Sequence, residues 1–212
     1  MRGDNERFTM NDNQLRTVGI LIFDEVEVLD FCGPFEVFST ARPAGEHRDD
    51  SILFKAITIA EEDRIITCRG GLLVKPHYMI ENAPPLDILL VPGGQGTRRE
   101  RRNQRLLDWI VEQDRHTELT TSVCTGAFLL AERGLLDQHR ATTHWGSVEW
   151  MRSNYPNLAM LDDQRVVDEG HIITSAGVSA GIDMSLHVVA RLHGIDTARW
   201  TARRMEYDWR II

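Results

Sequence analysis

The chain has 212 residues, with 24 Lys+Arg against 32 Asp+Glu for a formal charge of −8, and 42% of its residues are hydrophobic. That size and composition fit one domain able to bury a core, and they exclude a fibrous or wholly disordered chain. The acidic balance repels phosphate backbones, so a partner held by charge is not expected to be nucleic acid.

The N-terminal stretch MRGDNERFTMNDNQLR is polar, mixed in charge and lacks an apolar signal segment, so residues 1–16 read as a disordered leader and 17–212 as a single domain. The longest apolar runs, such as ILLV from Ile88 to Val91, fall far short of the roughly 20 residues that cross a bilayer, so no membrane partner is expected. Cys32, Cys68 and Cys124 form neither a CxxC pair nor a zinc pattern, and an odd set without a framework points to reduced thiols in the cytoplasm.

TVGILIF, Thr17 to Phe23, is β-branched and apolar on both faces, as expected of a first, buried strand. Gly33-Pro34 then marks a helix start, with the helix predicted from about Pro34 to Thr40. LFKAITIA, Leu53 to Ala60, is the second strand, and Gly70-Gly71 between two short apolar runs makes a small β-hairpin excursion. LDILLVPGG reads as a strand ending in a glycine turn, an Arg-rich loop follows, and NQRLLDWIVEQ has helical spacing. ELTTSVCTGAFLLAERGLL repeats that order, with a strand to Val123 and a helix from about Gly126 to Gly134. QRVVDEGHIITSAG predicts a hairpin turning at Glu169-Gly170, GIDMSLHVVARLHG a helix closed by Gly194, and a last helix runs from about Thr197 to Tyr207. Alternating strands and helices predict an α/β fold, a mostly parallel central sheet with helices on both faces.

Cys124 falls on a strand-to-helix junction, which predicts an exposed thiol at the carboxyl edge of the sheet, favoured as thiolate by the positive end of the following helix. Free N–H groups of that first turn can hold an anion developing on a substrate bound to sulfur. Cys32 and Cys68 read as small buried hydrophobes. Gly93-Gly94 brings a second backbone loop to the same edge, where ligands of open α/β sheets bind, although a Pro-Gly-Gly can also be a plain turn. A proton partner could be Asp30, His144 or Asp183. Asp30, in LDFCGP after the first strand, ranks first. His144 in RATTHW could form a Cys-His pair or be a structural hydrogen-bonder, and Asp183 could simply favour a helix dipole. Arg98, Arg99, Arg101, Arg102 and Arg105 read as a solvated surface or a recruiter of an acidic partner.

GILIFDEVEVLDFCGPFEVF, LLVPGG, TSVCTGAFLLAERGLLDQHRATTHW and TSAGVSAGIDMSLHVV resemble, in order and spacing, the ThiJ/PfpI superfamily with its class I glutamine amidotransferase-like fold. The resemblance runs from about Thr17 to the C-terminus. It implies a flavodoxin-like three-layer sandwich, a homodimer, and a reactive cysteine on a strained elbow with an acid from the first helix region hydrogen-bonded to it. Protease-like and chaperone members commonly carry His after the cysteine, and this chain has Thr125 there, which argues against peptidase activity. Asp30, Cys124 and Thr125, with RATTHW and AGID, look most like the isocyanide hydratase branch, which implies hydration of an isocyanide to an N-substituted formamide through a thioimidate on Cys124, without metal or organic cofactor. On that pattern Asp30 moves protons, Thr125 and the backbone near Gly94 orient the carboxyl and the intermediate, and Gly93, Gly94, Gly177 and Val178 line the small-molecule site. Cys32 and the short C-terminal MEYDWRII depart from the branch and leave substrate preference open. The same domain occurs as the ligand-binding sensor half of AraC-type regulators, whose helix-turn-helix has no counterpart before Ile212. A glyoxalase- or deglycase-like enzyme, which would need His144, and an amidase- or protease-like one are further alternatives.

Overall fold

The computed structural model describes residues 15–48 and 51–209; the expected leader lies outside them except for Leu15 and Arg16. Arg16 belongs to the first strand, β1 (Arg16–Leu21), because its backbone pairs with Phe54 and its N–H donates to Leu53 O at 3.1 Å, while its Nε donates to Glu118 Oε2 at 2.7 Å. Helix α1 (Val28–Thr40) follows, then β2 (Phe54–Ala60), β3 (Ile66–Thr67), β4 (Leu73–Val74), β5 (Tyr78–Met79) and β6 (Ile88–Val91). The chain continues through α2 (Thr97–Glu100), α3 (Gln104–Asp114), β7 (Leu119–Val123), α4 (Ala127–Ala131), β8 (Arg140–Ala141), α5 (Val148–Asn154) and β9 (Ala159–Met160). It closes with β10 (Val166–Asp168), β11 (Ile172–Ser175), α6 (Ala180–His193) and α7 (Ile195–Arg204).

Seven strands form one sheet in the order β10-β11-β7-β6-β1-β2-β5. All its pairings are parallel except β10 with β11, the expected hairpin. Helices α1, α6 and α7 pack together, as do α2, α3 and α4, giving a layer on each face. β6 is buried along its whole length, as a central strand covered on both sides must be. The chain leaves β1 for β2 on one side and returns to β6 on the other. The carboxyl ends of β1 and β6 therefore diverge, and they open the crevice in which α/β sheets bind ligands.

Several boundaries differ from expectation. α1 begins six residues before Pro34, which lies inside it. Proline removes one helical hydrogen bond and crowds the preceding turn, yet Pro34 and its neighbours Phe31, Val37 and Phe38 are buried, so tertiary packing outweighs the local preference. Gly33 makes that packing possible: a Cβ there would lie 2.9 Å from Ile182 Cγ1 on α6. The Arg-rich loop contains a turn of helix, α2. The helix after Cys124 ends at Ala131 before an irregular turn to Gly134, and the last helix spans Ile195 to Arg204. β5, the small β8–β9 pair and α5 carry too few residues for a readable period. The Gly70-Gly71 hairpin forms as expected and leans on the loop after β1, where Arg69 N–H donates to Val26 O at 2.9 Å and Glu25 N–H to Thr67 O at 2.8 Å. Among the described residues no helix is long and apolar enough to cross a membrane.

Candidate active site

Cys124 follows β7 with φ at +57°, in a short 3-10 turn that leads into α4. A left-handed backbone costs a non-glycine residue about 1–2 kcal/mol, so neighbouring contacts must hold it. They do: Cys124 N–H donates to Ala176 O at 3.2 Å, and Thr143 Oγ1 donates to Cys124 O at 2.7 Å. Gly126 lets this turn press against β6, since a Cβ there would sit 2.0 Å from Val91 O.

Three loops converge on the cysteine. From α1, in its first turn, comes Asp30, fully buried. From β6 comes Gly93, whose N–H donates to Asp30 Oδ2 at 3.0 Å. From β11 comes Val178, a β-branched residue at φ +54°. The N–H groups of Thr125 and Val178 point at the Cys124 sulfur. The Asp30 carboxyl lies beside the same thiol, and its Oδ1 is buried with no close hydrogen-bond partner among the described residues.

Thr125 does not reach the carboxyl with its hydroxyl. Its Oγ1 accepts from Gly94 N–H at 3.1 Å and from Thr97 Oγ1 at 3.1 Å. It therefore clamps the glycine loop, which in turn presents the Gly93 N–H to Asp30. Gly94, at φ +120°, also bridges to Val26, and a Cβ there would lie 2.3 Å from Glu25 O. Nothing in the sequence marks Thr97 or Thr143 as part of this site. Thr143 stands in the RATTHW block and Thr97 just beyond the glycines, but which backbone atoms they meet is set by folding alone.

Electrostatics correct the expectation of an exposed thiolate. Burial and the Asp30 charge push the Cys124 thiol up to about 12, against the lowering pull of the Thr125 and Val178 N–H groups. Cys124 is only 6% exposed, and the 3-10 turn is too short for a helix end to offset that desolvation. Burial raises Asp30 to about 7, with the Gly93 N–H opposing and the Glu27 charge assisting. At neutral pH the pair is a thiol beside a carboxyl poised between its acid and base forms.

The other candidates separate. Asp183 stands away from this cluster: its Oδ1 accepts from Tyr207 OH at 3.1 Å and its Oδ2 from Arg165 Nε at 2.5 Å, so it ties α6 to the C-terminal segment and to the approach to β10. His144 lines the same pocket as Cys124, but its Nδ1 accepts from Gly146 N–H at 3.2 Å and it makes no hydrogen bond to the thiol or to Asp30. Gly177 packs against that imidazole, where a Cβ would lie 2.4 Å from His144 Cδ2. Cys68 is buried as expected, whereas Cys32 is half-buried. The pocket holds about 110 Å³, and Gly94, Arg98, Cys124, Thr125, His144 and Val178 are among its walls. Among the described residues no group of three or more His, Cys, Asp or Glu side chains is placed to hold a metal ion.

The family model described as DJ-1/PfpI matches residues 16–191. The chain belongs to the DJ-1/PfpI family. This DJ-1/PfpI chain is 34% identical to an isonitrile hydratase of Pseudomonas putida over 90% of its own length and 78% of the relative's. It is 28% identical to the HTH-type transcriptional regulator GbdR of Pseudomonas aeruginosa over 91% of its length, and it spans about half of that regulator. A ThiJ/PfpI family protein from Pseudomonas syringae superposes with a TM-score of 0.82 at 26% identity, covering 98% of this chain and 82% of that one. An AraC family transcriptional regulator from Pseudomonas putida superposes with a TM-score of 0.76 at 18% identity, over 90% of this chain and 99% of that one, a likeness of fold. The expected fold class and family are therefore those of the protein.

Proposed function

We propose that the protein is a cysteine-dependent hydratase that adds water to an isocyanide and releases an N-substituted formamide. The observation that carries this reading is the buried Asp30 Oδ1, unpartnered beside a thiol that burial holds protonated. Such a thiol attacks only if a base removes its proton, and Asp30, raised to about 7, can both accept and return one near neutral pH. The 34% identical isonitrile hydratase adds weight.

In the proposed cycle Asp30 takes the thiol proton as Cys124 sulfur bonds to the terminal carbon of R–N≡C, and then delivers that proton to the same carbon. The product is a thioimidate, R–N=CH–S–Cys, so the first half is addition of S–H to carbon. Asp30, again a carboxylate, deprotonates a water that attacks the thioimidate carbon. Collapse breaks the C–S bond, the nitrogen takes up a proton, and R–NH–CHO leaves with the thiol restored. The Thr125 and Val178 N–H groups face the sulfur throughout and stabilise charge developing on it. Gly93 holds the acid, and Thr125 with Gly94 holds Gly93. The same reading has a cytoplasmic homodimer acting on a small molecule without a cofactor.

The test is consumption of benzyl isocyanide by the purified protein, beside methylglyoxal and a peptide, with Cys124→Ala and Asp30→Asn variants. Formamide production lost in both variants is expected; undiminished turnover in either overturns the mechanism. A second reading, a ligand sensor without chemistry, draws on the match to GbdR. Saturable binding of a small molecule with no product formed would favour it. Dicarbonyl and peptide chemistries have less support, since no histidine hydrogen-bonds the thiol.

A further inference from the structure

We infer that the substrate carries an anionic group, a carboxylate on an apolar or aromatic body, and that Arg98 with Arg102 selects it. This rests on the hydratase reading for the identity of the reacting end.

The pocket at Cys124, about 110 Å³, holds only three or four water-sized groups. It takes the reacting carbon, its nitrogen and little more, so the rest of a substrate lies outside. Two larger cavities adjoin it, and Arg98 lines all three. One, of about 480 Å³, shares Ser147 as well as Arg98 with the reactive pocket and is walled by Phe128 and Trp150, with Arg101, Arg102 and Gly146. Phe128 and Trp150 lie 4.7 Å apart between centroids with their planes tilted by 39°, and Arg101 lies 4.8 Å over the Trp150 ring, so this wall is aromatic, with the buried Phe128 backing the more open Trp150 and one cation already engaged.

The arginines of this run differ in their partners. Arg99 pairs with Glu100, Arg101 with Glu132, and Arg105 with Glu61 and Glu81. Arg69, which also lines the reactive pocket, pairs with Glu27. Arg98 and Arg102 make no ion pair or side-chain hydrogen bond among the described residues. In a chain with a net charge of −8, two guanidinium groups without an ion-pair partner, Arg98 on the wall of the reactive pocket and Arg102 beside it in the adjoining cavities, form a local positive field. A guanidinium fork matches a carboxylate in two parallel hydrogen bonds. The geometry suits a ligand whose reacting end enters at Cys124, whose body lies on Phe128 and Trp150, and whose carboxylate meets the two arginines.

The experiment compares benzyl isocyanide with 4-(isocyanomethyl)benzoate as substrates of the wild-type protein and the Arg98→Gln/Arg102→Gln double variant. In parallel, tryptophan fluorescence of the Cys124→Ala protein, with and without the double substitution, is titrated with benzoate and with benzamide. The expected result is a kcat/KM at least about 10-fold higher for the charged substrate, falling toward the neutral one in the double variant and at high salt. Benzoate should quench saturably and benzamide should not, with the quench lost in the double variant. Turnover of neither isocyanide, with benzoate still bound through the arginines, would sink the hydratase reading and keep the anion site. Equal kcat/KM for the two substrates, or benzoate binding untouched by the double substitution, overturns the inference.

Discussion

Asp30 and Asp183 are both buried carboxylates in the first turn of a helix, one on α1 and the other on α6, and the structure gives them opposite company. Asp183 receives a guanidinium and a phenol hydroxyl, which use both of its oxygens. Asp30 meets the Gly93 and Val178 N–H groups and a thiol but no cation, and its Oδ1 has no partner at hydrogen-bond distance among the described residues. A buried carboxylate that only holds structure is given a charge to meet; one left without a counter-charge keeps its proton longer and stays available for transfer. Two positions alike in sequence context therefore meet opposite surroundings, and only Asp30 is left poised for proton transfer on the hydratase reading.

Substitutions at the reacting pair should produce the largest effect. Cys124→Ala and Asp30→Asn should each lower kcat by about 10³-fold or more while leaving the fold intact by circular dichroism. Arg165→Ala should leave chemistry far less affected, and retention of Asp30-like turnover losses there would collapse the distinction.

The pH dependence is the next test. Asp30 acts as base only when ionised, so kcat/KM should fall about tenfold per pH unit below about 7, roughly 100-fold by pH 5. Stability should move the other way. The folded state holds the Asp30 proton up to about 7 while the unfolded chain releases it near the ordinary carboxyl value of 3.8, so the folded state binds more protons between those values and stability declines as pH rises through that window. Urea titrations of wild type and Asp30→Asn should show that slope in the former and its loss in the latter.

Smaller effects probe the scaffolding. Removing the counter-charge by Arg165→Ala should cost about 2 kcal/mol in urea unfolding, less than a fully buried pair because water reaches the guanidinium. Thr125→Val, which deletes the tie to Gly94 and Thr97, should cost about 1 kcal/mol and lower kcat by about 10-fold through a loosened Gly93 N–H. A larger loss of rate than of stability would confirm that Thr125 positions the acid.

The residues show why some of this was legible in the sequence. A buried parallel strand is usually a continuous apolar run, as in ILLV of β6, so β1, β2 and β6 could be read directly; β7, LTTSV, is polar in the middle and shows only by its place before the Cys124 turn, and the loops after β1, β6 and β7 had to meet at one edge. Asp30 and Cys124 were therefore visible as neighbours. Their ionisation was not, because it depends on burial: the same cysteine at the same turn would favour the thiolate if water reached it. Pro34 misplaced the start of α1, since local preference cannot register the contact of Gly33 with Ile182. The Arg-rich run could be seen only as charge, and which two of its guanidinium groups lack an acid emerges only once Glu61, Glu81, Glu100 and Glu132 are brought near.

Gly93 stands where these threads cross. A Cβ on it would lie 2.6 Å from Thr125 N, 2.7 Å from Thr125 Oγ1 and 2.9 Å from Asp30 Oδ2. The spacing between acid and nucleophile is thus set by a hydrogen atom where every other amino acid places a carbon. A single methyl group at position 93 would wedge Asp30 away from the Cys124 turn, whereas Arg98 and Trp150 stand at the rim, outside this close packing. On the hydratase reading, the reacting pair would be fixed where these backbone segments cross, and substrate choice would lie with the rim around it.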